Sequence, residues 1–200
     1  GKIYRPKRHD WHLYYASPTP ANFSYTATVH YFQEGVSGWA NKINLTTRNY
    51  FTDDVRLDLS YLYIDSDDWL VGNSLGHVNQ YQRRLNQFSM NLVSKISDNS
   101  DLTMNAQWFA LNATGKNQLL NDGQQCCRFN EEEPNDFSSS RLSFQLRYRL
   151  QLSNTAKFYL VYRRHGLVNN NEVASTNDLF SDAMALTQKN NVTAKLSYSF

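Results

Sequence analysis

Nine cations, Lys42, Arg48, Arg56, Lys95, Arg141, Arg147, Arg149, Arg163 and Lys195, alternate with apolar residues along the chain. Successive side chains of an extended backbone point to opposite faces, so these cations share one face. A surface lined in this way attracts anions through its summed potential and makes or breaks no bond. Asp58 is the acidic residue that shares the face, which leaves two readings: a basic lining, or cations paired with carboxylates brought from elsewhere in the fold. Bond-making chemistry finds no foothold. The five histidines, His9, His12, His30, His77 and His165, sit in different segments with no i, i+4 or cysteine companion, so no metal site is assigned. Cys126 and Cys127 are adjacent, match neither zinc nor thioredoxin spacing, and read as loop residues whose redox state the sequence leaves open. The run Glu131-Glu132-Glu133 with Asp136 carries oxygen ligands suited to Ca²⁺ in a surface loop, although a run of charge is ordinarily just solvated. No Ser/His/Asp order, phosphate-binding glycine loop or catalytic carboxylate pair can be assigned. The chain therefore reads as a non-enzyme without a cofactor.

The elements that carry the cations are strands. From Arg141 to Leu152 the apolar set Leu142, Phe144, Leu146, Tyr148, Leu150 and Leu152 alternates with Arg141, Ser143, Gln145, Arg147, Arg149 and Gln151. The same period-2 pattern marks Asn22–Phe32, Trp39–Tyr50, Asp54–Asp65, Asp101–Ala113, Ala156–Arg164 and Asn191–Phe200, and Arg83–Ser97 where Leu85 and Val93 blur it; with a short strand at Asp10–Ala16 this makes about nine strands. Between them, 66–82, 114–140 and 165–190 have no period and read as long loops, with a helical pattern only over Leu179–Leu186. Strands of roughly 9 to 13 residues exceed the 5 to 6 usual in soluble domains and match the 9 to 11 of a tilted strand crossing a bilayer.

Composition agrees with a membrane crossing by strands. The 200 residues include 13 Tyr, 11 Phe and 4 Trp, yet mean hydropathy is −0.63 and no apolar run approaches the ~18 residues of a membrane helix. A chain of this kind crosses lipid only as a closed β-barrel, in which every backbone group is paired. Trp11, Trp39, Trp69, Tyr50, Tyr63, Tyr162 and Tyr198 fall near strand ends, where aromatic girdles meet the membrane interfaces. A net charge of +2 is too small to argue for nucleic acid as a partner.

In the last strand Val192, Ala194, Leu196, Tyr198 and Phe200 lie on one face and Thr193, Lys195, Ser197 and Ser199 on the other. This resembles the closing strand of bacterial outer-membrane barrels, whose assembly signal is an alternating strand ending in Phe. If that end lies in the periplasm, the connections at 33–38, 66–82, 114–140 and 165–190 fall outside the cell, three of the four being long, and the short ones at 17–21, 51–53, 97–101 and 153–155 are periplasmic. The first strand would then run inward. Complete bacterial barrels have an even number of strands that starts in the periplasm. Residues 1–9 also lack the apolar core of a secretory signal. The expected fold class is thus all-β, an antiparallel transmembrane β-barrel of outer-membrane type, forming the C-terminal portion of a larger barrel.

Four blocks carry a further resemblance: Asp101-Leu-Thr-Met-Asn-Ala-Gln-Trp-Phe-Ala-Leu, Ser140-Arg-Leu-Ser-Phe-Gln-Leu-Arg-Tyr-Arg, Lys157-Phe-Tyr-Leu-Val-Tyr-Arg-Arg and the terminal strand. Together they resemble the barrel of the DUF5916 family, in which a carbohydrate-binding-family-9-like domain precedes an outer-membrane barrel. The resemblance implies an N-terminal sugar-binding-like domain and early strands beyond this chain, and it brings no catalytic residues. The expected function is a pore or transporter for solutes, saccharides or anions, in the outer membrane of a Gram-negative cell. The alternatives are a non-conducting anchor for the N-terminal domain, or an outer-membrane hydrolase. Expected partners are outer-membrane lipid, the barrel assembly machinery, and the remaining strands and N-terminal domain of the same barrel or another chain.

Overall fold

Alternating apolar and polar residues specify strands that bury or expose one face at a time, and in this chain such strands pair in chain order. The computed structural model describes residues 8–18, 22–72, 78–120, 128–130, 133–185 and 189–198. The described elements are β1 (Asp10–Ala16), β2 (Phe23–Glu34), β3 (Gly38–Thr52), β4 (Val55–Gly72), β5 (Val78–Ser97), β6 (Ser100–Leu120), β7 (Arg128–Asn130), β8 (Phe137–Gln151), β9 (Ala156–Asn170), α1 (Thr176–Ala185) and β10 (Lys189–Tyr198). One antiparallel sheet runs β1-β2-β3-β4-β5-β6-β8-β9-β10, with the short β7 paired to the far end of β6 beyond β8. β1 and β10 are its two edges. Among the described residues they do not pair with each other, so the sheet is open rather than closed into a barrel.

The strands outrun their amphipathic parts. β4, β5 and β6 are 18, 20 and 21 residues long, and they take in much of what reads as loop at 66–82 and 114–140. β9 likewise extends into the segment 165–190, which also holds α1. These extensions mix polar and apolar residues on both faces, so they carry no alternation. Side-chain ladders hold them instead: Asn117 Nδ2 donates to Gln80 Oε1 at 2.8 Å and Gln80 Nε2 to Asp68 Oδ1 at 2.7 Å. Gly115 is obligatory there, because a Cβ on it would lie 1.7 Å from the Pro134 carbonyl oxygen, while its N–H donates to Asp136 Oδ1 at 2.8 Å.

Cross-strand register sorts the side chains into rows. On one face Ala27, Leu45, Tyr61, Phe88, Trp108, Leu142 and Gly166 stand abreast on successive strands. On the other, Ser24, Arg48, Asp58, Asn91, Asn105, Gln145, Arg163 and Asn191 stand abreast. The sheet thus has an apolar and a polar face. Apart from α1, no described element covers the apolar face, and the edge residues Trp11 and Val192 on it are 70% and 68% exposed.

The apolar band does not follow the rows. Phe23, at the lower end of the apolar run of β2, is in one row with Asn49, Leu57, Leu92, Met104, Leu146, Tyr162 and finally Val192, at the upper end of the run of β10. The run of β2 extends upward from this row to Tyr31, and that of β10 extends downward to Tyr198. The upper edge therefore slips by eight residues over seven strand-to-strand steps. At about 3.3 Å per residue and about 4.8 Å between strands, the strands incline by roughly 40° to the normal of a flat apolar slab.

α1 packs on the apolar face. Ala183 joins Leu142 and Val168 in a small buried cluster with Trp108 against it, and Leu179 is fully buried. Trp108 donates its Nε1–H to Ser140 Oγ at 3.0 Å and meets the Phe180 ring edge-on.

Candidate functional site

The polar face is concave at its centre. A hollow of about 720 Å³ opens on it, lined by residues of six strands from Ser24 on β2 to Gln145 on β8. Hydroxyls and an amide cross it in a single row, formed by Thr26, Thr46, Ser60, Ser89, Gln107 and Ser143 on successive strands. Below this lies a second hollow of about 650 Å³, at the end with the short turns. There Arg56, Lys95, Arg147 and Arg149 meet Asp53, Asp54, Asp98 and Asp101, four cations against four carboxylates.

All nine sequence-derived cations stand on the polar face, and they divide by partner. Asp58 sits between two of them: Arg48 Nε lies 2.8 Å from its Oδ1 and Arg56 Nε 3.3 Å from its Oδ2. Lys95 Nζ donates to Asp98 Oδ1 at 2.7 Å across the β5–β6 turn, and Arg149 pairs with Asp101. Pairing with carboxylates therefore holds for Arg48, Arg56, Lys95 and Arg149. Among the described residues Lys42, Arg141, Arg147, Arg163 and Lys195 make no ion pair; Arg163 donates to Gln145 Oε1 at 3.0 Å and Arg147 to Thr103 Oγ1 at 3.3 Å. Asp98, in its turn, is held below the ordinary carboxylate value, first by the Lys95 hydrogen bond and then by its charge.

A cluster at the other end of this face escapes sequence reading. Asp68 is 1% exposed, and its Oδ2 accepts the backbone N–H groups of Val36, Ser37 and Gly38 at 2.8, 2.8 and 2.9 Å. With Gln80 on Oδ1, one carboxylate ties the β2–β3 turn to β4 and β5. Gly35 makes that turn at φ 67°, the left-handed region open to glycine, and a Cβ there would lie 2.1 Å from the Asp68 carbonyl oxygen. Beside it Arg83 Nη2 bridges both oxygens of Glu34 at 2.9 and 3.0 Å, Ser66 donates to the same carboxylate, and the Arg83 guanidinium lies 5.0 Å over the Trp69 ring. The signal for this cluster in the sequence is Gly35 and Gly38, three residues apart at a turn.

Set against protein-family models, curated proteins and solved structures, the chain matches none.

The aromatic residues read as girdles separate. Trp11, Trp39, Tyr63, Tyr162 and Tyr198 share the apolar face, and Tyr31 stacks on Trp39 with ring centroids 4.4 Å apart. Tyr50 lines the lower hollow and Trp69 packs with Tyr81 and Phe137 under Arg83, so both belong to the polar face. A bulge between Ser66 and Trp69 reverses the side that counting by twos predicts for Trp69. The histidines are less scattered than their spacing suggests: His12 and His30 meet edge-on at 5.7 Å, and His30 Nε2 lies 2.6 Å from Asp10 Oδ1. Among the described residues no three His, Cys, Asp or Glu side chains converge as a metal site. In the terminal strand Val192, Ala194, Leu196 and Tyr198 share the apolar face with Tyr162, Leu160, Phe158 and Ala156 as neighbours. Phe200, His77, Cys126, Cys127, Glu131 and Glu132 lie outside the described residues.

Proposed function

We propose that this chain forms the C-terminal part of a transmembrane β-barrel in the outer membrane of a Gram-negative cell, where it lines a pore for polar solutes. The observation that carries the reading is the inclined apolar band on a face that, among the described elements, only α1 covers, opposite a hollow polar face. In a soluble barrel the apolar face is the interior; here the interior of the curve is polar. A bilayer is a flat slab, and barrel strands cross it tilted by roughly 35–45°, so lipid-facing residues must slip along successive strands. The slip in this sheet corresponds to roughly 40°.

The free edges of β1 and β10 suit further strands, supplied by the rest of the same barrel or by another chain. In the DUF5916-like reading, the same longer protein carries a sugar-binding-like domain ahead of the barrel, and saccharides are the solutes. The unpaired cations Lys42, Arg141, Arg147, Arg163 and Lys195 give the polar face a bias toward anions.

Reconstitution in planar bilayers tests the pore. Stepwise conductance with reversal potentials on the anion side is the expected result. A protein that inserts, shifts on SDS gels when boiled, and still passes neither salt nor sugar would instead be an anchor.

A further inference from the structure

α1 is capped at its start and presents two apolar stripes. Ser175 caps it: its Oγ accepts the Asp178 N–H at 3.1 Å and donates to Asp178 Oδ2 at 2.7 Å, a side-chain N-cap. At its other end the Met184 carbonyl accepts a hydrogen bond from Arg164, a cation placed against the negative end of the helix. Leu179 and Ala183, one turn apart, face the sheet and are buried. Phe180 and Met184, the next stripe around the helix, remain 45% and 42% exposed. Asn177, Asp178, Ser181 and Asp182 occupy the opposite arc.

Where the helix lies on the sheet gives the exposed stripe its meaning. The inclined band falls away toward β10, so on β8 and β9 its upper edge runs near Phe144 and Tyr162. Leu142 and Val168 are above that edge, on the apolar face, and they are the residues that α1 covers. Arg164, also on the apolar face, stands at the edge and holds the end of the helix. The helix thus replaces lipid where the band leaves apolar side chains uncovered, and its free stripe continues the exposed apolar surface of the sheet.

We propose that α1 is an interfacial helix that rests on the bilayer, with Phe180 and Met184 among the lipid chains near the headgroups and the Asp178/Asp182 arc in water. This rests on the membrane reading above. The chemistry is that of an amphipathic helix lying in the interface plane, here pinned to a strand by Arg164.

Single nitroxide labels in the full chain reconstituted in lipid vesicles test it, with Cys126→Ser and Cys127→Ser as background and Leu146→Cys, Met184→Cys or Asp182→Cys as label sites. Collision with oxygen, which enters lipid, is compared with collision with a water-soluble nickel chelate. The oxygen-to-nickel ratio should be several-fold higher at 146 than at 182, with 184 intermediate and clearly above 182. A lipid-like ratio at 146 with a water-like ratio at 184 would overturn the interfacial helix and leave the barrel standing. A water-like ratio at 146 would bring down the membrane reading, and the helix proposal with it.

Discussion

Gln145 and Leu146 are neighbours in β8 that point to opposite faces of the sheet: Gln145 accepts a hydrogen bond from Arg163 inside the polar hollow, while Leu146 stands between Met104 and Tyr162 on the apolar face. Leu146→Arg is expected to block assembly or to cost about 2 to 4 kcal/mol near the middle of a bilayer, and Gln145→Arg to be tolerated. Urea unfolding in vesicles measures both, and equal damage by the two would reverse the assignment of faces.

Asp68 gathers four donors onto one buried carboxylate, so Asp68→Ala leaves three turn amides and the Gln80 amide unpaired at once. A loss of about 2 to 4 kcal/mol is expected, with hydrogen exchange accelerated at Val36, Ser37 and Gly38 ahead of the rest of the sheet. Unchanged protection at these three amides would contradict the role given to Asp68.

Gly115→Ala forces a Cβ into the Pro134 carbonyl, which is backbone and has little room to yield. Thermal unfolding should register a destabilisation of about 1 to 3 kcal/mol, whereas Gly72→Ala, with open space around the same position, should unfold close to the parent protein.

Ion selectivity separates paired from unpaired cations. Changing Lys42, Arg141, Arg163 and Lys195 together to Gln should move the reversal potential in a KCl gradient toward the cation side. The double change Arg48→Gln with Asp58→Asn removes an ion pair of no net charge and should leave it in place. A larger shift from the neutral pair than from the four cations would refute the basis of the proposed anion preference.

The β5–β6 turn carries a pH dependence of defined sign. The pKa of Asp98 is lowered by Lys95, so the contribution of the pair is complete above the ordinary carboxylate value and is lost as pH falls through the lowered one. A side-chain carboxyl titration by NMR should find Asp98 ionised at a pH where free aspartate is already half protonated.

What the sequence made legible is the part of each strand that alternates. The bounds of β1 are those read from Asp10 and Ala16, and the apolar faces of β2, β4, β6, β8 and β10 are the ones their periodicity assigns. Three things were hidden, each for a physical reason. Gln80, Asn117 and Asp68 belong to strand extensions that mix polar and apolar residues on both faces and are tied by side-chain ladders, so they have no period. Trp69, read as a girdle residue, lies in a stretch without a period, and a bulge that adds a residue turns it to the polar face. Asp101 neutralises Arg149 only because β6 pairs with β8, a proximity that spacing along the chain does not encode.

The order of the sheet bears on how it is made. Each main strand lies beside the one before it in the chain, with β7 the sole excursion among the described residues. No strand has to be wedged between two that are already joined. Growth can therefore proceed like a zipper, hairpin by hairpin, each step joining strands that are next to each other in the chain and leaving a fresh edge as the template for the next. A helper protein acting on such a chain needs no knowledge of its final shape; it has only to keep the growing edge from meeting the wrong strand.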